Sequence, residues 1–311
     1  MKLIDTTYSS CAALAALMEP VSPAMAVLQL STGPLHGRLR VYGLGAFRIS
    51  ILDNSQTLFL SGQRQPDRHT FAFELGTSCD LTEMRAQGAA MPWPGFLGFN
   101  GELCDFDLRL PKDSQLITLL IPKTLAKNDA RFAEGTLTRQ RLMKYNLLEL
   151  KPDQQRCLAE LLQQLTSEKQ PPKAEHVADQ FLDVTLKAFE HPSAEADLNR
   201  PRQERHQAAL QVLHRWMGNP KEIINTHDLS TELAVSRSAL FKGCQEHFGL
   251  SPTQIQRSIR LDRVRRELLH GSGSIGAIAA AFGFQSRSHF ASRYRDQFGE
   301  LPQETVSTAT L

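Results

Sequence analysis

Apolar and polar residues alternate through much of residues 24–122, as in Arg38-Leu39-Arg40-Val41-Tyr42 and Asp105-Phe106-Asp107-Leu108. A period of two predicts half-buried antiparallel strands, here at 24–30, 37–52, 56–61, 69–75, 95–99, 104–110 and 114–121. Turn-forming clusters at 31–34, 63–68, 91–94 and 111–113 separate them. Many short strands with frequent turns predict an antiparallel barrel or jelly-roll-like unit over 1–122. After Pro122 the period lengthens to that of helices, at 125–133, 153–169 and 173–190. Leu158, Leu161, Leu162 and Leu165 form one apolar face; Val177, Phe181, Val184, Leu186 and Phe189 form another. Residues 123–192 therefore read as a helical segment whose faces pack on the barrel or against a second copy. Residues 193–201 read as an exposed linker, and 202–311 as an all-α unit. The expected class is α+β multidomain.

The all-α unit contains a repeat. Ser236-Arg237-Ser238, Phe248-Gly249 and Pro252 recur fifty residues later as Ser286-Arg287-Ser288, Phe298-Gly299 and Pro302. Upstream, 229–235 aligns with 278–284 at an offset of forty-nine. Each copy has the anatomy of a helix-turn-helix, at about 226–249 and about 274–299. A short helix ends at Ala234 or Gly283, and an apolar plug, Val235 or Phe284, fills the turn. Ser236 or Ser286 can cap the second helix. That helix buries Leu240, Cys244 and Phe248 in one copy, and Phe290, Tyr294 and Phe298 in the other. Gly249 and Gly299 suit the left-handed position that closes a helix.

The opposite face is free to meet a ligand. Ser238, Lys242 and Gln245 point away from the first stripe, and Ser288, Ser292 and Arg295 from the second. Arg237 and Arg287 occupy the first turns, and Ser236 and His289 lie beside them. Side chains of these types at the start of a helix can hydrogen-bond base edges in a DNA major groove. The helix between the copies, 251–270, carries Arg257, Arg260, Arg263, Arg265 and Arg266. Its length of about 30 Å approaches one duplex turn of about 34 Å. It reads as a phosphate-facing spacer, although Arg260 could equally serve an internal contact.

These residues resemble the DNA-binding domain of the AraC/XylS family of bacterial transcription regulators. The resemblance rests on 275–284, Ser288-His289-Phe290, Phe298-Gly299 and Pro302, with Arg260-Leu261 and 268–271 between the copies. It covers about 202–306. It implies seven helices, the first at 208–217, and two recognition helices in adjacent major-groove segments. It also implies base contacts at Ser238, Phe241 and Lys242, and at Arg287, Ser288, Ala291 and Ser292. Phe241 suits a thymine methyl or burial. Tyr294 and Cys244 stand where the family often has Phe, and 301–305 lacks the usual Tyr-Arg after the proline. By the same resemblance the chain is an activator that meets RNA polymerase, and its N-terminal unit binds a small-molecule effector, dimerises, or does both.

Charge sharpens the division. Residues 200–311 hold 15 Lys+Arg against 10 Asp+Glu, whereas 1–199 hold 20 against 23. A basic excess in the repeat region fits a polyanion partner. The longest nearly unbroken apolar run, 275–284, is too short for a bilayer span of about 20 residues. Cys11–Met18 is too short, and Asp5 wrongly charged, for a secretory signal. Five scattered cysteines form no CxxC, so a reduced cytoplasmic protein is expected.

The N-terminal half carries little recognisable chemistry. Residues 1–170 contain only His36 and His69, so no metal site is expected. Gly43-Leu44-Gly45 lies on a strand and is no dinucleotide loop. Glu102, Asp105 and Asp107 read as a solvated edge. Trp93, with Phe96 and Phe99, reads as a cap on the barrel mouth or as a ligand wall. No catalytic residue and no cofactor are expected. Two other readings stay open: a barrel enzyme or small-molecule binder with an accessory DNA module, and a helical protein-interaction adaptor.

Overall fold

Strand alternation sets the architecture of the N-terminal half. The computed structural model describes residues 2–75, 78–91, 93–167, 174–192, 195–197, 200–271 and 273–309. The chain opens with β1 (Lys2–Tyr8), α1 (Cys11–Met18) and β2 (Ala26–Gln29). Strands β3 (Gly37–Leu44), β4 (Phe47–Asn54), β5 (Leu58–Gln63) and β6 (Arg68–Glu74) follow. Three short strands, β7 (Arg85–Ala86), β8 (Ala89–Ala90) and β9 (Gly95–Leu97), lead into β10 (Asp105–Leu110) and β11 (Ser114–Pro122). Next come α2 (Lys123–Asn128), α3 (Leu137–Lys144), β12 (Tyr145–Glu149), α4 (Pro152–Thr166), α5 (Ala174–Glu190) and β13 (Glu195–Asp197).

The strands form two antiparallel sheets. The larger has the order β1-β3-β4-β11-β6-β9-β12-β13, and the smaller β2-β5-β10-β7-β8. Among the described residues neither sheet closes on itself, so the expected barrel is a sandwich of two open sheets. Even residues of β11 (Leu116, Leu120) enter the core between the sheets, with Leu39, Leu52, Leu60 and Leu108. Odd residues (Ile117, Leu119, Ile121) enter a second core on the outer face of the large sheet.

That outer core accounts for the helical segment. Leu158, Leu161, Leu162 and Leu165 of α4 and Val177, Phe181, Leu186 and Phe189 of α5 pack there against Phe71, Phe73 and Phe96. These apolar faces thus rest on the chain's own sheet. The span expected as one strand at 37–52 is a hairpin turning at Gly45 (φ +62°). Within the expected helices, β12 pairs with β9 and returns the chain to the large sheet. Part of the expected linker, 195–197, is a strand paired with β12. Linker residues 193, 194, 198 and 199, and residues 168–173 at the ends of two expected helices, lie outside the described residues.

The C-terminal part is helical: α6 (Arg200–Gly218), α7 (Thr226–Glu232), α8 (Arg237–Phe248), α9 (Pro252–Leu269), α10 (Ile275–Ala281), α11 (Arg287–Phe298) and α12 (Pro302–Ala309). One core joins α6–α9 to the outer face of the small sheet through Leu28, Leu30 and Phe59. A separate core unites α9–α12.

Candidate nucleic-acid interface

Each repeat folds as a helix, a tight turn and a second helix. In the first unit the chain turns at Ala234 (φ +52°), and in the second at Gly283 (φ +79°). Left-handed backbone disfavours a β-carbon, so the glycine fits this turn more easily than its alanine counterpart. Ser236 Oγ accepts from the Ala239 amide at 3.1 Å, and Ser286 Oγ from the His289 amide at 3.5 Å. Gly249 and Gly299 close α8 and α11 in left-handed conformations. The stripes Leu240–Cys244–Phe248 and Phe290–Tyr294–Phe298 are buried in two different cores. Burial pushes the Cys244 thiol up to about 12, so it behaves as an apolar packing group.

All eleven candidate reading residues are exposed: Ser236, Arg237, Ser238, Phe241, Lys242 and Gln245 on the first unit, and Arg287, Ser288, His289, Ser292 and Arg295 on the second. Phe241 is 50% exposed, which leaves its ring available for an apolar contact rather than buried. Three of the eleven have local partners, among them Ser288, whose hydroxyl lies 3.3 Å from that of Ser286. Ser236 caps its helix, and Gln245 Nε2 donates to the Gly249 carbonyl at 3.2 Å. Ala291 is half-buried beside the second reading face.

Comparison with known proteins agrees with this geometry. Residues 229–308 match the family described as a helix-turn-helix domain. The HTH-type transcriptional regulator ArgR of Pseudomonas aeruginosa is 32% identical over 99 residues, which cover 32% of this chain and 30% of ArgR. The HTH-type transcriptional activator RhaS of Pectobacterium atrosepticum is 30% identical over 95 residues, covering 30% of this chain and 34% of RhaS. The C-terminal third is an AraC/XylS-type DNA-binding domain. A crystal structure of a probable AraC family transcriptional regulator from Rhodopseudomonas palustris shares 32% identity, covering 33% of this chain and 97% of that one, with a TM-score of 0.32. The match spans about a third of the length of ArgR and RhaS.

Within the AraC/XylS-type domain, α9 is not the basic spacer expected from its sequence. Arg260 donates to the Phe282 carbonyl and lies over the Phe284 ring at 5.1 Å, and burial lowers its pKa. Arg263 donates to the Met217 carbonyl. Arg265 pairs with Glu300 at 2.9 Å and covers the Phe298 ring, and Arg266 pairs with Asp262 at 2.9 Å. Arg260, Arg263 and Arg265 thus fasten α9 to its neighbours, and Arg266 makes a pair within the helix. Arg257 instead lines a groove with His289, Ser292 and Arg293 at the edge of the second reading face.

The domain also docks on the N-terminal sandwich through residues that local patterns could not connect. Asp107, expected on a solvated edge, is buried and accepts a 2.8 Å hydrogen bond from His206. His206 in turn meets the His247 ring edge-on at 4.9 Å. Both nitrogens of His247 are buried without a hydrogen-bond partner, and burial lowers its pKa to about 4. The neutral form therefore belongs to the folded state. The unfolded ring titrates near 6.5, so His247 leaves stability intact above that value and withdraws it as pH falls toward 4. The loss from this group approaches about 3 kcal/mol at the acid end. Denaturation of the full chain between pH 7 and 4 should show this fall, and His247→Leu should flatten it. An equal fall in both proteins would remove His247 as its source.

Inside the sandwich lies a cavity of about 90 Å³, walled by Leu52, Leu60, Leu108, Leu116 and Leu120 with Arg64 at one side. Arg64 donates to the carbonyls of Gly98, Asn100 and Asp105, while its Nη2 is enclosed without a partner. Phe96 and Phe99, suspected as a ligand wall, lie elsewhere, with Phe99 edge-on to Phe189 of α5 at 4.6 Å. Trp93 packs partly buried on the inter-sheet core. Among the described residues, no three His, Cys, Asp or Glu side chains are grouped to hold a metal ion. Likewise, no described helix is long and apolar enough to cross a membrane.

Proposed function

We propose that this chain is a sequence-specific transcription regulator acting in the cytoplasm, of the activator type that engages RNA polymerase from a promoter site. The observation that carries this reading is the pair of capped recognition helices, α8 and α11. Each presents an exposed polar face, and the single helix α9 joins them. The reading residues, Lys242 and Arg287 among them, would choose bases, and Arg257 and Arg293 at the edge of the second reading face would meet phosphates. The inter-sheet cavity supports an effector-binding role for the N-terminal half. Among the described residues Arg64 is the one ionisable side chain in its lining, so the cavity suits holding a small, mainly apolar molecule better than acid–base chemistry upon it. Its inner wall includes Leu60 and Leu108, and the same strands carry Phe59 and Asp107 outward to the DNA-binding domain. An occupant would thus lie one strand away from the reading unit.

Titration of the full chain against duplex DNA at several salt concentrations tests the reading. A log–log slope of about −4 or steeper is expected from several phosphate contacts. A chain that captures partner proteins but shows no salt-steep duplex binding would be an adaptor instead.

A further inference from the structure

The N-terminal sandwich touches both helix-turn-helix units, and β2 with the residues just after it reaches both. Leu28 of β2 and the adjoining Leu30 enter the core of the first unit, where Phe59 meets Phe248 edge-on at 5.0 Å. Gln29, between those leucines, reaches the second unit: its Nε2 donates to the Gln297 carbonyl at 3.0 Å. Gln297 Nε2 returns a bond to the Ser31 carbonyl at 3.1 Å. The Gly33 amide donates to the carbonyls of Asp296 and Gln297 at 3.0 and 3.2 Å. The last carbonyls of a helix lack partners within it, so the sandwich supplies part of the C-terminal cap of the second recognition helix. These contacts fall at the ends of α8 and α11, away from the first turns that read bases. With the sandwich docked, the eleven reading residues remain exposed.

We propose that the N-terminal sandwich is a brace that fixes the distance and angle between the two recognition helices, with Gln29 and Phe59 as positioning residues for DNA-site spacing. The inference rests on the DNA-reading function and adds to it a geometric task for the other half of the chain. Thr32 reaches the groove that His289 and Ser292 also line, so the brace runs close to the DNA without covering the readers.

The test uses the full chain and a duplex selected by it from random sequence. Inserting one base pair between the two contacted segments should weaken wild-type binding by about tenfold or more, the scale of a mismatched base pair. Gln29→Met keeps the side chain's length and removes its donor. It should bind the original duplex within about threefold of wild type and accept the inserted one almost equally. Unchanged spacing preference would overturn the brace, and so would much tighter binding of both duplexes, which would make the dock an inhibitor. If Gln29→Met fails to fold, amide exchange of the wild type decides. Residues 28–33 should stay protected when the selected duplex is added, and loss of protection would overturn the proposal. Failure to select any duplex would instead overturn the DNA-reading function, while exchange in the free chain still reports whether the dock forms.

Discussion

Phe248→Ala should lower the unfolding free energy of the full chain by about 3–5 kcal/mol, the usual cost of emptying a buried phenylalanine site. Phe248 is 1% exposed and ends the apolar stripe of the first recognition helix. Its ring packs among Leu240, Ile255 and Trp216 of the helical part and Leu28 and Phe59 of the sandwich. Because one core serves both halves, the cost should appear in urea denaturation followed at either of them. A loss below about 1 kcal/mol would mean that the core relaxes around the cavity far more than close packing allows.

Lys242→Ala and Arg287→Ala should each weaken binding to the preferred duplex by about 1–3 kcal/mol and relax the choice of base at one position. Both side chains are exposed, one on each recognition helix. Gln245→Ala is the useful contrast, because its amide already donates to the Gly249 carbonyl. It should change base preference less than either of the others. Selection from random duplexes, followed by sequencing, reads all three. If Lys242→Ala and Arg287→Ala both keep the wild-type preferences, the reading face has been assigned to the wrong side of the helices.

The parts of this structure legible in the sequence are those with short-range grammar. Ser236 and Ser286 cap their helices, Gly249 and Gly299 end them, and the two apolar stripes are buried as their spacing requires. These features depend on residues within a few turns of one another, so a repeated pattern exposes them. β1 is hard to read from sequence for the opposite reason. It is a mostly exposed edge strand, held by backbone pairing to β3 and by the Arg38–Asp5 ion pair, and it shows no clean alternation. β12 is five residues long and follows α3 without a turn signal.

The α9 arginines show where composition misleads. A helix rich in arginine suggests a phosphate-facing surface, yet the guanidinium plane also stacks on aromatic rings and bonds to helix-end carbonyls. Arg260 and Arg265 do so over Phe284 and Phe298, which lie 24 and 33 residues away in the sequence. The His206–Asp107 contact spans 99 residues. Nothing in either neighbourhood announces it. Without the other half of the chain, Asp107 on an alternating strand looks like an outward, watered carboxylate.

The small sheet has consequences for anyone who divides the molecule. Leu28, Leu30 and Phe59 are greasy on the side turned toward the helices, and each is at most 5% exposed only because those helices cover it. A cut near residue 200, the natural place to separate a sensor from a reader, would wet this patch on one fragment and the facing Val212, Trp216 and Phe248 on the other. Each piece would then carry a newly bared adhesive surface. Poor solubility of either fragment would report the missing half rather than a misplaced boundary.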